Sequence, residues 1–320
     1  MIVDILWIIA GLVMILVGSD WLVDGASGVA RKYGISEFVI GMTIVGVGTS
    51  APELVSSLLA AINGHGDMAL GNVVGSNICN VFLILGVTSL ISPIGFTRSN
   101  IRKDLLVAIG VSLFLLVILY NGFGLFGGFP GISRVDALYL LLFFVIFMID
   151  SFKSSKNGGE EGAIEEVKPM HMGKAILLVL FGLAGLIFGG RFFVNHMVSV
   201  AEYFNISEAF ISITLMAVGT SLPELATCVV AAMKGKNQLA LGNIIGSNVF
   251  NIALIIGISA FISPFHIESI SVVDMAMVLV GVVMLWLAAF TFKRNQLDRV
   301  EGAIFLSIYV GYIVYLTLNI

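Results

Sequence analysis

The sequence predicts an all-α polytopic membrane protein: ten transmembrane helices arranged as two inverted five-helix repeats. Three observations predict it. The chain is 58% hydrophobic and only 11% charged over 320 residues, against about 25% charged in a soluble domain, and its mean hydropathy is +1.07. Apolar runs near the 20 residues needed to span about 30 Å of hydrocarbon recur at 3–24, 36–62, 69–92, 104–121, 134–150, 174–195, 207–233, 239–263, 271–291 and 301–319. Displaced by 171 residues, the chain aligns with itself without gaps, 23 of 46 positions being identical from Gly48–Pro93 to Gly219–Pro264.

The first run carries Asp4 and no basic residue before its apolar core, and no small-residue cleavage site closes it, so it reads as a span and not a secretory signal. Spans 1 and 6 are glycine-bearing at Gly11 and Gly18, and at Gly182, Gly185, Gly189 and Gly190. Spans 2 and 7 are interrupted by Pro52 and Pro223, and spans 3 and 8 are rich in glycine, serine and asparagine. Spans 4, 5, 9 and 10 are plain apolar segments. Residues 1–150 form the first repeat, 174–320 the second, and the polar, glycine-containing stretch 151–173 a tether between them. Cys79 and Cys228 lie inside spans and read as small packing residues. Asp20 and Asp24, near the end of span 1, read as interfacial or helix-packing groups.

Basic residues fix the orientation. With ten spans, the loops after spans 1, 3, 5, 7 and 9 share one side and hold all of the 16 Lys and Arg except Arg134 and Arg191. Under the positive-inside rule both termini are extracytoplasmic, in the plasma (inner) membrane. Each repeat has an odd number of spans, so the second must be inverted relative to the first, an organisation common in secondary transporters with a midplane site.

The repeated segment is Gly-Thr-Ser-Ala-Pro-Glu-Leu at 48–54 and Gly-Thr-Ser-Leu-Pro-Glu-Leu at 219–225. A carboxylate at the centre of a membrane helix costs about 2.5–3.5 kcal/mol on insertion scales, so its presence points to function. Pro52 has no N–H, which frees a carbonyl near Gly46–Gly48, and Pro223 does the same near Ala217–Gly219. Thr49, Ser50 and Glu53 share one helix face by their spacing, as do Thr220, Ser221 and Glu224. Ser-x-x-Glu also fits a capping box, a local role open to both serines. The following spans add Ser76 with Asn80, and Ser247 with Asn251, each pair four apart. A helical rise of about 1.5 Å per residue brings all of these to similar depth near the midplane. The donors are oxygens without a thiolate or histidine cluster, which favours hard cations. Calcium, with six to eight flexible oxygen ligands, fits more naturally than magnesium, and sodium can use the same oxygens.

Gly-Thr-Ser-x-Pro-Glu-Leu followed by Gly-Asn-x-x-Gly-Ser-Asn-x-x-Asn, in two inverted copies, closely resembles the α-repeats of sodium/calcium exchangers of the Ca²⁺/cation antiporter superfamily. The resemblance covers nearly the whole chain. It implies a secondary active antiporter exchanging Ca²⁺ for Na⁺ by alternating access, with spans 1 and 6 sliding across a core of spans 2, 3, 7 and 8. Glu53 and Glu224 would be the central Ca²⁺ ligands. Thr49, Ser50, Ser76, Thr220, Ser221 and Ser247, with the carbonyls of Gly46 and Ala217, would form flanking Na⁺ sites, and Asn80 and Asn251 would complete the middle. Potassium-dependent relatives carry Asp where this chain has Asn251, and proton-coupled relatives show Gly-Asn-x-x-Glu where it has Gly75 and Gly246. Both departures disfavour K⁺ or H⁺ coupling. The rivals are an H⁺- or K⁺-coupled antiporter and, from another class, a cation channel with an acidic filter. No enzyme is expected: His65, His171, His196 and His266 lie in loops or near span ends. The expected partners are Ca²⁺, Na⁺ and the bilayer, with no cofactor, nucleic acid or obligate protein partner.

Overall fold

A computed structural model describes residues 2–119, 131–157, 170–204, 217–266 and 271–318. The protein is an all-α membrane protein with the ten-helix inverted-repeat fold. The first repeat contains α1 (Ile2–Tyr33), a span broken into α2 (Glu37–Thr49) and α3 (Ala51–Ile62) with a 48° bend, and α4 (Gly66–Ile91). It closes with α5 (Leu105–Leu119) and α6 (Arg134–Asn157). The second contains α7 (Met172–Tyr203), α8 (Ala217–Thr220), α9 (Leu222–Met233), α10 (Asn237–Ile262), α11 (Val272–Ala288) and α12 (Arg299–Leu318). Residues 158–169 of the expected tether and 207–216 of the seventh expected span lie outside the described residues.

Two features sort these helices into layers. Within the most apolar window of each, α4 is 72% and α10 83% buried, whereas α1, α6, α7 and α12 are only 22–28% buried. The two asparagine-bearing helices α4 and α10 are thus enclosed by protein, and α1, α6, α7 and α12 leave most of their apolar surface to lipid. Small residues allow that enclosure: a Cβ on Gly41 would strike the Leu239 carbonyl, and one on Gly242 or Gly246 would strike the Phe38 or Met42 carbonyl. The first half of span 2 therefore lies backbone to backbone against α10 of the other repeat.

Helices α1 and α7 cross in the same manner. A Cβ on Gly11 would come within 2.8 Å of the Gly189 carbonyl, and one on Gly18 within 2.8 Å of the Gly182 carbonyl. Both helices outrun their expected spans, which ended at residues 24 and 195. Beyond Asp24, residues Gly25 to Ala30 are buried against neighbouring helices, and hydropathy marks lipid-facing surface better than small buried residues. Likewise α6 continues through Asn157 and α7 begins at Met172, so both ends of the expected tether are helical. Two short antiparallel pairings, Ile94–Gly95 with Gln296–Leu297 and Gly131–Ile132 with Phe265–His266, tie loops of one repeat to loops of the other.

Asp20 and Asp24 do serve helix packing. Lys234 Nζ, just beyond α9, lies 2.7 Å from a carboxylate oxygen of each, pinning α1 to the end of that half-helix. Partial burial alone would lower this ammonium, but the two carboxylates outweigh it and hold its pKa above the usual lysine range.

Candidate cation site

Both repeated motifs fold into the same break. Ser50 leaves helical geometry at φ −83°, ψ 10° and Ser221 at φ −90°, ψ 7°, each followed by proline in the first turn of the next half-helix. Proline is tolerated there because the first turn's N–H groups have no intrahelical partner. Glu53 and Glu224 thus sit in the first turns of α3 and α9, where the exposed N–H groups and the helix dipole favour negative charge. Neither serine caps its helix by side chain, so the capping-box role does not occur. Ser50 Oγ instead donates across the repeat boundary to Glu224 Oε1 at 2.9 Å.

Thr49 and Thr220 also make contacts that cross between repeats. Thr49 Oγ1 lies 3.3 Å from Asn243 Oδ1 and 3.4 Å from the Gly46 carbonyl. That carbonyl also accepts the Ser50 N–H at 3.1 Å, so it is not bare as the sequence suggests, although a carbonyl has a second lone pair to offer. Thr220 lies against Glu53, and the two glutamates are close enough to repel electrostatically. Glu53 and Glu224 are each 1% exposed. Of Ala217, only its place at the start of α8 is described.

The decisive feature is what these groups lack. Among the described residues, both carboxylate oxygens of Glu53, Oε2 of Glu224, the hydroxyls of Ser76, Ser221 and Ser247, and Oδ1 of Asn80 and Asn251 are buried without a hydrogen-bond partner. An unsatisfied buried polar atom costs roughly 1–3 kcal/mol, more when charged. Eight on the motif residues, drawn from both repeats, are not an accident of packing. Hydroxyls could rotate to donate, but carboxylate and amide oxygens only accept, so a cation is a group that could engage the whole set at once. Oxygen-only donors of this kind suit hard cations.

Sequence reasoning missed three members of this region. Asn243 meets Thr49; Asn77 and Asn248 hydrogen-bond the helices of opposite repeats together. All three belong to the repeated Gly-Asn-x-x-Gly-Ser-Asn-x-x-Asn, but an asparagine on a helix announces no partner until the helices are placed. Three π-helical stretches were equally invisible: Gly41–Val45, Cys79–Ile84 and Phe250–Ile256. Two of them contain Asn80 and Asn251, consistent with the tendency of π-turns to occur at functional sites.

The sequence profile of the family described as sodium/calcium exchanger protein matches residues 3–153 and 174–318. The chain belongs to the sodium/calcium exchanger family. This exchanger is 34% identical to the sodium/calcium exchanger MaX1 of Methanosarcina acetivorans, with 98% of each chain covered. It is 35% identical to the inner membrane protein YrbG of Escherichia coli over 82% of this chain and 81% of that one. Its fold matches a solved structure of the sodium-calcium exchanger NCX_Mj, soaked with Na⁺ and Ca²⁺, with a TM-score of 0.83, 32% identity and 98% of both chains covered. The family is one of transporters, not enzymes.

Proposed function

We propose that this exchanger trades Ca²⁺ for Na⁺ at a midplane site built from both repeats. Glu53 and Glu224 are the central Ca²⁺ ligands, completed by Asn80 and Asn251. Thr49, Ser50, Ser76, Thr220, Ser221 and Ser247, with the Gly46 and Ala217 carbonyls, serve Na⁺. The observation that carries this reading is the set of eight buried, unpartnered oxygens on motif residues of both repeats, three of them on the two glutamates. Two carboxylates balance one Ca²⁺, and several Na⁺ can occupy the same oxygens in its place. Each ion therefore expels the other, and an empty site with two facing carboxylates resists crossing the membrane.

Neutral Asn80 and Asn251, and glycine at 75 and 246, support sodium over potassium or proton coupling. The same residues hold the site's formal charge to that of the two glutamates. Spans 1 and 6 slide across the core of spans 2, 3, 7 and 8 to open the site to either side, and the two five-helix repeats, 1–150 and 174–320, are joined through the tether at 151–173. The chain sits in the inner or plasma membrane with both termini outside, as its basic loops favour.

The test is ⁴⁵Ca²⁺ uptake into proteoliposomes loaded with Na⁺, K⁺ or a proton gradient in turn. Uptake is expected only with an outward Na⁺ gradient, and Glu53→Gln or Glu224→Gln abolishes it. Equal uptake driven by a pH gradient without Na⁺ refutes sodium coupling; uptake needing no counter-ion identifies a channel.

A further inference from the structure

The cation site needs the oxygens of Asn80 and Asn251, yet a side-chain amide presents an oxygen on one edge and two N–H donors on the other. Turned over, either residue would aim hydrogen atoms at a cation. Something must choose the edge.

The choice traces to a group that cannot turn over. Asn77 Nδ2 donates to the backbone carbonyl of Asn248 at 3.4 Å. A backbone carbonyl accepts and never donates, so the nitrogen of Asn77 faces it and the oxygen of Asn77 faces the other way. That oxygen accepts Asn251 Nδ2 at 3.0 Å. With its nitrogen engaged, Asn251 directs Oδ1 inward, where it is buried and unpartnered. The 171-residue displacement carries this pair onto its mate: Asn80 Nδ2 donates to Asn248 Oδ1 at 3.0 Å, and Asn80 Oδ1 is left buried and unpartnered. Asn77 is 2% and Asn248 4% exposed, so water does not compete for these bonds.

We propose that Asn77 and Asn248 are positioning residues that set the amide orientation of the opposite repeat's ligand, Asn77 for Asn251 and Asn248 for Asn80. They need touch no ion. The proposal rests on the cation site described above and adds to it a reason for the middle asparagine of Gly-Ser-Asn-x-x-Asn. It also accounts for neutral ligands at positions where a carboxylate would need no guidance, since a carboxylate offers oxygen whichever way it turns.

That difference supplies the test, a double-mutant cycle on the purified full chain read by equilibrium ⁴⁵Ca²⁺ binding in detergent. Asn77→Leu keeps the volume but removes the acceptor, and is expected to weaken Ca²⁺ binding by about 10–100-fold, as loss of a ligand's supporting partner does. In an Asn251→Asp background the same substitution is expected to cost nothing. In an Asn80→Asp background it keeps its full cost, because Asn77 does not orient residue 80. A generally weakened helix contact would cost the same in all three backgrounds, and that result overturns the proposal, as does unchanged affinity in Asn77→Leu itself. Thermal melting without Ca²⁺ monitors folding. Should Asn77→Leu fail to fold, Asn77→Asp decides, since it keeps an acceptor for Asn251 while losing the donor to Asn248: binding must survive, and its loss overturns the proposal. Absence of Ca²⁺ binding by the unaltered chain would strike at the cation site itself and is thereby told apart.

Discussion

Gly242→Ala places one methyl group where the backbone of the opposite repeat already lies. The added Cβ would collide with the Phe38 carbonyl, and neither α2 nor α10 can yield by rotating a side chain. Ordinary contact requires about 3.4 Å or more between such atoms, so the helices must separate by roughly 1 Å. Overpacking of this kind costs about 1–3 kcal/mol, and replacing glycine in a helix interior returns about 1 kcal/mol. The net loss of stability is about 0–2 kcal/mol, and the protein still folds. The site tolerates less. Ser247 and Asn251 lie about one and a half and two and a half turns further along α10, and metal–ligand distances are held to about 0.2 Å. Ca²⁺ affinity is expected to fall at least about tenfold, far more than a stability change of this size would cause in the folded fraction. Equilibrium ⁴⁵Ca²⁺ binding and a thermal melt on the same preparation measure the two effects. Gly311→Ala, at an exposed glycine with open space around its Cβ position, is the control and is expected to change neither binding nor folding adversely. Unchanged Ca²⁺ affinity in folded Gly242→Ala would refute the claim that the close α2–α10 contact sets the site's dimensions.

Further outcomes are expected elsewhere. Ser50→Ala removes the donor to Glu224 Oε1; a hydrogen bond to a charged group is worth about 1.5–3 kcal/mol, so the ion-free protein should melt earlier and Ca²⁺ should restore part of the difference, read by melts at rising Ca²⁺. Lys234→Met severs two partly exposed ion pairs and is expected to cost at most about 2 kcal/mol in a melt at low salt, less at high salt. Because this amine is held above its usual range, its contribution is full below the unfolded lysine value of about 10.4 and is lost only as pH rises through the higher folded value. Wild type and Lys234→Met melting temperatures should therefore differ by a constant amount between about pH 6 and 9. Glu301→Ala opens the cap of α12, in which Glu301 Oε2 accepts the Asp298 N–H and Asp298 Oδ1 accepts the Val300 N–H; a loss of about 1 kcal/mol is expected in the same melt.

The fold was legible because a membrane imposes length and a repeat imposes symmetry. The glutamates were legible because a carboxylate in an apolar run has so few explanations. The rest depends on what approaches from the other repeat. Ser50 has the spacing of a cap, and only the arrival of Glu224 turns its hydroxyl elsewhere. Gly46 was expected to offer a bare carbonyl, but the regular helical bonding persists as far as Ser50, whose N–H reaches it. Asn77, Asn243 and Asn248 were in plain view within the motif, yet their bonds to the other repeat run between residues 168 to 194 apart in sequence. The π-turns have no local signature, since an extra residue in a helical turn is imposed by packing.

The crossing of α1 and α7 has a consequence of another order. Gly11 meets Gly189 and Gly18 meets Gly182, and displacing Gly11 and Gly18 by 171 residues yields Gly182 and Gly189. Each contact is therefore the image of the other, and the asparagine pairs 77–251 and 80–248 obey the same exchange. Reciprocity of this kind defines the isologous interface of a two-fold dimer. The halves meet as two copies of one five-helix chain would meet, inserted in opposite senses. A single five-helix repeat therefore carries both surfaces of the contact.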